Sequence, residues 1–196
     1  MDVQTRRRAP EATRAEIIDM AIEVAADQGA MGLTLDAVVS RLSFSKGALL
    51  HHFPTKLALL EGVIDHLAGQ MTTQVLEEAA RDPNPYGRNA RAYLRAAVND
   101  PVTERDVSIG RAALVACAVE PGLIVRWRAA MRALAEDDPV DPAGKDDALM
   151  LRLIADGLWM SDLFGTHEVS PEQRKALLSL LTPGVLLADV QPGDAA

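Results

Sequence analysis

Cysteine is almost missing from this 196-residue chain. Cys117 stands alone, in an apolar run. No intrachain disulfide can form, and the simple reading of Cys117 is a small buried side chain rather than a redox sensor. Aromatic residues make up only 4%, and no alternation of β-branched residues marks a strand. Ala and Leu abound instead, which favours helices. No apolar run reaches the length that spans a bilayer, and no apolar signal core follows the first arginines, so a cytoplasmic protein is expected. A Gly-rich phosphate loop, a nucleophile elbow and metal-ligand spacing are all missing. His51 and His52 are adjacent, hence about 100° apart on a helix and badly placed to share a metal, while His66 and His167 stand alone. These absences predict no enzyme, no metal and no cofactor.

What is present is an acidic chain with a formal net charge of −8. The charge is uneven. Residues 1–60 carry seven Lys/Arg and seven Asp/Glu, so the remaining 136 residues carry the whole −8. An acidic remainder beside a neutral first segment disfavours non-specific binding to polyanions, which is mostly electrostatic.

Residues 33–56 carry the chemistry. Thr34 can cap a helix whose buried face is Leu35, Val38, Val39 and Leu42. Ser43 and Phe44 form the turn, with Phe44 as a buried plug. Ser45 caps the next helix, and Lys46, Gly47 and Ala48 fill its first turn. Leu49 and Phe53, four apart, anchor it. Lys46, Gly47, Leu50 and His51 then point elsewhere. Pro54 ends the helix, and Thr55 caps the following one. Lys56 in its first turn opposes the helix dipole, a penalty that makes sense if Lys56 meets a phosphate. This is the layout that puts a slim, donor-bearing helix into a DNA major groove: Gly47 and Ala48 allow close approach, while Ser45, Lys46, His51 and His52 supply donors.

These residues resemble the DNA-binding domain of the TetR family of bacterial transcriptional regulators. The resemblance runs from about Thr13 to Val63. It takes in Thr13-Arg14, Ile17-Ile18 and Ala21, Gly29, Leu33-Thr34-Leu35 and above all Ser45-Lys46-Gly47-Ala48-Leu49-Leu50-His51-His52-Phe53-Pro54-Thr55-Lys56. Three positions depart from the family pattern. Leu42-Ser43 replaces Ala-Gly, so Ser43 must turn without glycine's freedom. Leu50 replaces Tyr and loses a phosphate-binding hydroxyl, though it can touch a thymine methyl or simply pack. Leu57 replaces Glu.

An all-α fold of about nine helices follows, with a three-helix helix-turn-helix head and a helical body. Residues 1–9 read as a flexible basic arm in which Arg6, Arg7 and Arg8 reach the DNA backbone or minor groove, or else form a solvated tail. Residues 10–56 are the DNA-binding domain, its first helix running from Pro10 to about Gln28 and ended by Gly29. Residues 57–190 are the ligand-binding and dimerisation domain, and 191–196 a flexible tail. Within the body, helices are expected at about 55–81, 86–98, 100–117, 121–135, 146–164 and 170–187, with a loop at 136–144.

The resemblance implies that the last two helices form a four-helix bundle across a two-fold axis. Leu149, Leu153, Leu177, Leu178 and Leu181 are the candidate dimer residues, with Leu158, Leu163 and Leu180 adding apolar surface. It also implies a small-molecule pocket, for which Tyr93, Trp127, Met131, Asp156, Trp159, Met160 and Phe164 are candidates. Asp156 or Asp162 could pair a cationic ligand, although so few aromatics argue against a pocket for large planar cations. The function read here is a dimeric repressor released from a palindromic operator by a small molecule. The alternative is a helical protein-interaction adaptor with a non-functional helix-turn-helix.

Overall fold

The computed structural model describes residues 3–43, 45–99, 102–139 and 144–181, with the side chains of 3–10, 144, 180 and 181 left aside. Among the described residues all regular structure is helical: α1 (Val3–Gly32), α2 (Leu35–Val39), α3 (Lys46–His52), α4 (Lys56–Ala79), α5 (Arg88–Asn99), α6 (Glu104–Val119), α7 (Pro121–Glu136), α8 (Gly144–Phe164) and α9 (Pro171–Leu181). Among the described residues no single helix is long and apolar enough to cross a membrane.

The chain packs as two compact units, Met1–Gln70 with Thr103–Ala130, and Met71–Val102 with Met131–Ala196. This grouping does not follow a head-and-body boundary at Lys56, because α6 and most of α7 pack with the head. In the first unit, Ile17, Ile18, Ala21, Val24 and Ala25 recur at helical spacing on α1 and are buried. Gly29, expected to end α1, instead kinks it three residues before its end, with φ 70, a conformation that glycine adopts without penalty. Val3–Ala9, expected as a loose arm, continues α1 instead. Gln4, the three arginines and Ala9 are good helix formers, so they extend backwards from an already nucleated helix, and Pro10 costs that extension one backbone bond.

Thr103 starts α6 by a reciprocal capping box: its hydroxyl accepts the Asp106 N–H at 3.1 Å, and the Asp106 carboxylate accepts the Thr103 N–H at 2.9 Å. Small residues Gly110, Ala112 and Ala116 form the buried face of α6. Arg105 adds a two-pronged pair with Glu23 of α1. Arg126 of α7 holds Asp65 of α4 at 2.8 Å.

In the second unit, Ala90, Leu94 and Val98 of α5 pack with Ala148, Leu151, Ala155 and Leu158 of α8, and Leu177 and Leu178 of α9 close the cluster. The start of α5 is fixed from far along the chain. The buried Asp138 carboxylate accepts the N–H groups of Asn89 (3.0 Å) and Ala90 (2.9 Å) and pairs with Arg152 at 2.9 Å. Buried Arg91 ties the loop before α5 together through Asp82 and the carbonyls of Tyr86 and Asn84.

Candidate nucleic-acid interface

Both short helices of the head are capped as the sequence leads one to expect. Thr34 sits in extended conformation and its hydroxyl accepts the Ala37 N–H at 3.0 Å. Ser45 does the same for Ala48 at 3.3 Å. The first helix is shorter than its apolar spacing predicts. It ends at Val39, and Arg41 and Leu42 donate to Val38 and Val39 three residues back, both at 3.1 Å, which is a tightened turn. No described residue other than glycine has positive φ, so Ser43 meets no conformational penalty for replacing the usual glycine. Phe44 lies outside the described residues.

Leu49 of α3 is fully buried and Phe53 nearly so, which turns the opposite side of the helix outwards. Ser45, Lys46, Gly47, Leu50 and His51 are exposed, as is Thr34, while Ala48 and His52 are half-buried. The two histidine rings meet edge to face at 5.4 Å.

The anchor of α3 depends on two residues that sequence reasoning misses. A Cβ on Gly62 of α4 would come within 2.7 Å of the Phe53 ring, so only glycine allows this approach. The Arg14 guanidinium of α1 covers the same ring at 5.1 Å from its centre. A glycine inside an otherwise apolar helical run is the available signal for the first, since it costs about 1 kcal/mol against alanine without a packing reason. The Arg14 contact leaves no local trace in sequence.

The cations of this segment are all engaged inside the chain. Lys46 Nζ lies 2.5 Å from Asp36 of α2, with both side chains largely exposed. Arg41 lies 2.5 Å from Asp27. Lys56 donates to the Ala30 carbonyl at 3.3 Å, which offers an internal compensation for its place in the first turn of α4. Thr55 caps that helix, accepting the Ala58 N–H at 3.0 Å. Arg6, Arg7 and Arg8 have helical backbone, and their side chains lie outside the described set.

The candidate pocket residues divide between the two units. Trp127 packs on the core of the first unit. Tyr93 and Met131 pack in the second. Met160 (39% exposed) and Phe164 (59%) lie on the outer side of α8, in one stripe with Leu149 (52%) and Leu153 (59%). The exposed Asp156 accepts the Tyr93 hydroxyl at 2.7 Å, and burial, then this carboxylate, pushes the tyrosine pKa up. Asp162 is taken by Arg174, which also donates to the Ala97 carbonyl at 3.1 Å, so it is not an open counter-ion for a ligand. Trp159 is half-buried. A small apolar crevice does exist within the first unit, lined by Ile22, Leu33, Leu60, Val63, Ile109 and Ala112 among others, and none of the candidate pocket residues lines it.

Of the candidate dimer residues, Leu149 and Leu153 are exposed, whereas Leu177 and Leu178 are half-buried against α5 and α8. Leu181 is helical, its side chain outside the described set. Leu158 and Leu163 are buried within the chain and offer nothing to a partner. Cys117 is half-buried, and burial pushes its thiol pKa up, away from the reactive thiolate.

Two family models match this chain: bacterial regulatory proteins of the TetR family over residues 17–63, and the tetracyclin repressor-like C-terminal domain over residues 87–183. Over 61 residues, 30% of its length, the chain is 41% identical to the HTH-type transcriptional regulator SrpR of Pseudomonas putida, covering 29% of that protein. It spans less than half the length of the curated regulators it matches. Its fold is similar to that of a transcriptional regulator from Rhodococcus sp. Rha1, with TM-score 0.67 and 20% identity over 88% of this chain and 95% of that one. It is also similar to the multidrug binding protein EbrR complexed with ethidium, with TM-score 0.60 and 23% identity over 86% of this chain and 97% of that one.

Proposed function

Because the chain belongs to the TetR family of DNA-binding transcriptional regulators, we propose that it is a cytoplasmic dimeric repressor. It reads a palindromic operator with α3 and leaves it when a small-molecule effector binds. Ser45, Lys46, Gly47, Ala48, Leu50, His51 and His52 face the duplex, with Thr34, Lys56 and the basic stretch Arg6–Arg8 at its backbone. The adaptor reading is not favoured, since it leaves the Ser45–Lys56 run without a purpose.

The observation that carries this reading is Gly47. It has no positive φ, and among the described residues a Cβ there would meet only Ser45 Oγ, at 3.8 Å. Nothing among the described residues requires glycine in a position where alanine makes the better helix. The requirement therefore comes from outside, from a surface that approaches the backbone closely. Gly47→Ala is expected to leave the protein as stable or up to about 1 kcal/mol more stable. The same change is expected to weaken duplex binding about tenfold, equivalent to ~1.4 kcal/mol. Urea melts and duplex titrations of the same preparation check this. Loss of stability with unchanged binding would contradict it.

The outer stripe of α8 supports the dimer. Leu149, Leu153, Met160 and Phe164 recur at helical spacing and are too exposed to serve the monomer core. Two heads related by a two-fold axis then meet half-sites about 34–36 Å apart, or a near multiple. Leu153→Glu is expected to give folded monomers in sedimentation, and a dimer unaffected by it would place the interface elsewhere. EbrR shows that a protein of this fold takes a small molecule. An effector of this chain acts by preferring the conformation that does not fit DNA. One that binds without lowering duplex affinity would contradict release.

A further inference from the structure

Asp36 is out of place on a surface meant for DNA. It lies in the first turn of α2, its side chain is 76% exposed, and it reaches across to α3 to hold Lys46 Nζ at 2.5 Å. A carboxylate facing phosphates is repelled by them, so such a residue needs an explanation. Helix capping does not supply one, because Thr34 already accepts the Ala37 N–H. The helix dipole favours an acid in this turn, yet gives it no reason to engage a lysine ten residues on. The neighbouring cation follows the same pattern, Arg41 being held by Asp27 at 2.5 Å.

Resting on the DNA-binding reading above, we propose that Asp36 is an autoinhibitory residue. Its carboxylate occupies, on Lys46, the place that a DNA phosphate or base acceptor takes in the complex. Binding is then an exchange, in which Lys46 leaves Asp36 for DNA and part of the gain is cancelled by the pair that breaks. The contact sets the affinity of the head below what its donors could reach, which leaves the complex easier to dissociate.

The test is a double-mutant cycle on a duplex enriched by the wild-type protein from a random-sequence pool. Asp36→Asn is expected to tighten binding about two- to fivefold, the scale of an exposed ion pair. In a Lys46→Ala background the same substitution is expected to gain clearly less, because no ammonium remains to be freed and only the repulsion of the phosphates is relieved. Circular dichroism and urea melts confirm that each variant is folded. An Asp36→Asn variant that binds no tighter than the wild type overturns the proposal. A gain that is undiminished without Lys46 also overturns it, since Asp36 would then act by plain repulsion of the phosphates alone. A wild-type protein that binds no duplex overturns the regulator reading and this inference together, so the two failures are distinguishable.

Discussion

Lys46→Ala is expected to weaken binding to the selected duplex by about 1–3 kcal/mol, and to broaden the sequence preference. Lys46 is the only cationic side chain in the first turn of α3, and it stands beside Gly47 and Ala48, where the helix is slim enough to approach base edges. The fold does not depend on it. Its side chain is 55% exposed and its internal contact is a surface ion pair with Asp36, worth about 0.2–1 kcal/mol at most. The variant should therefore melt close to the wild type while its titration curve moves. Fluorescence anisotropy with the selected and a scrambled duplex separates the outcomes. Equal affinity of variant and wild type for the selected duplex would mean that α3 does not dock by its first turn.

Replacing Arg91 by methionine is expected to cost about 3–5 kcal/mol of stability, the range for breaking a buried ion pair from one side. Arg91 has only 8% of its side chain exposed, and Asp82 has 9%. The guanidinium holds Asp82 at 2.8 Å and the carbonyls of Tyr86 and Asn84 at 2.7 Å each. Methionine fills part of the space but leaves two carbonyls without this donor, and leaves Asp82 to Arg95 at 3.0 Å and to the Asn84 N–H. Against a total stability of about 5–15 kcal/mol, this is a large fraction.

The same network predicts a pH dependence. Burial raises the Asp82 pKa, but hydrogen bonds from Arg91, the Asn84 N–H and Arg95 outweigh it, and the carboxyl ends below its ordinary value. A lowered pKa stabilises the fold above the ordinary carboxylate range and ceases to do so as pH falls through the lowered value. Without Arg91 the burial effect is less opposed, so the folded-state pKa moves back up and less stability should be lost on acidification than in the wild type. Urea melts at neutral and mildly acidic pH measure both effects, and a loss below about 1 kcal/mol at neutral pH, well under the range for a broken buried pair, would contradict the account.

Local chemistry makes much of this protein legible in its sequence. Thr34, Ser45 and Thr55 are caps, and Gly29 breaks α1, because each acts on backbone groups within a few residues. The exposed face of α3 is readable for the same reason, since Leu49 and Phe53 are four apart and define its buried side. Features that depend on distant partners are not readable. Asp138 sits in a proline-rich loop and gives no sign that it caps α5 from 48 residues away. Asp162 reads as an open acid until Arg174 is folded beside it. Size makes Trp127 a pocket candidate, yet says nothing about which core it joins, and it joins the one under the helix-turn-helix. Size and apolarity suggest a pocket for Met160 and Phe164, whereas their register with Leu149 and Leu153 puts them on the outer stripe of α8. The helical arm is hard to foresee because Pro10 reads as a helix start, although strong helix formers precede it.

The central claim is that a two-fold dimer reads DNA through α3. Selection of bound duplexes from a random-sequence pool by the purified full chain tests it most directly, followed by titration of the enriched duplex across salt concentrations. The account predicts one enriched sequence with two-fold symmetry, half-sites about 34–36 Å apart or a near multiple, and affinity that falls as salt rises. A folded dimer that enriches no sequence, or one whose enriched site lacks two-fold symmetry, would contradict it.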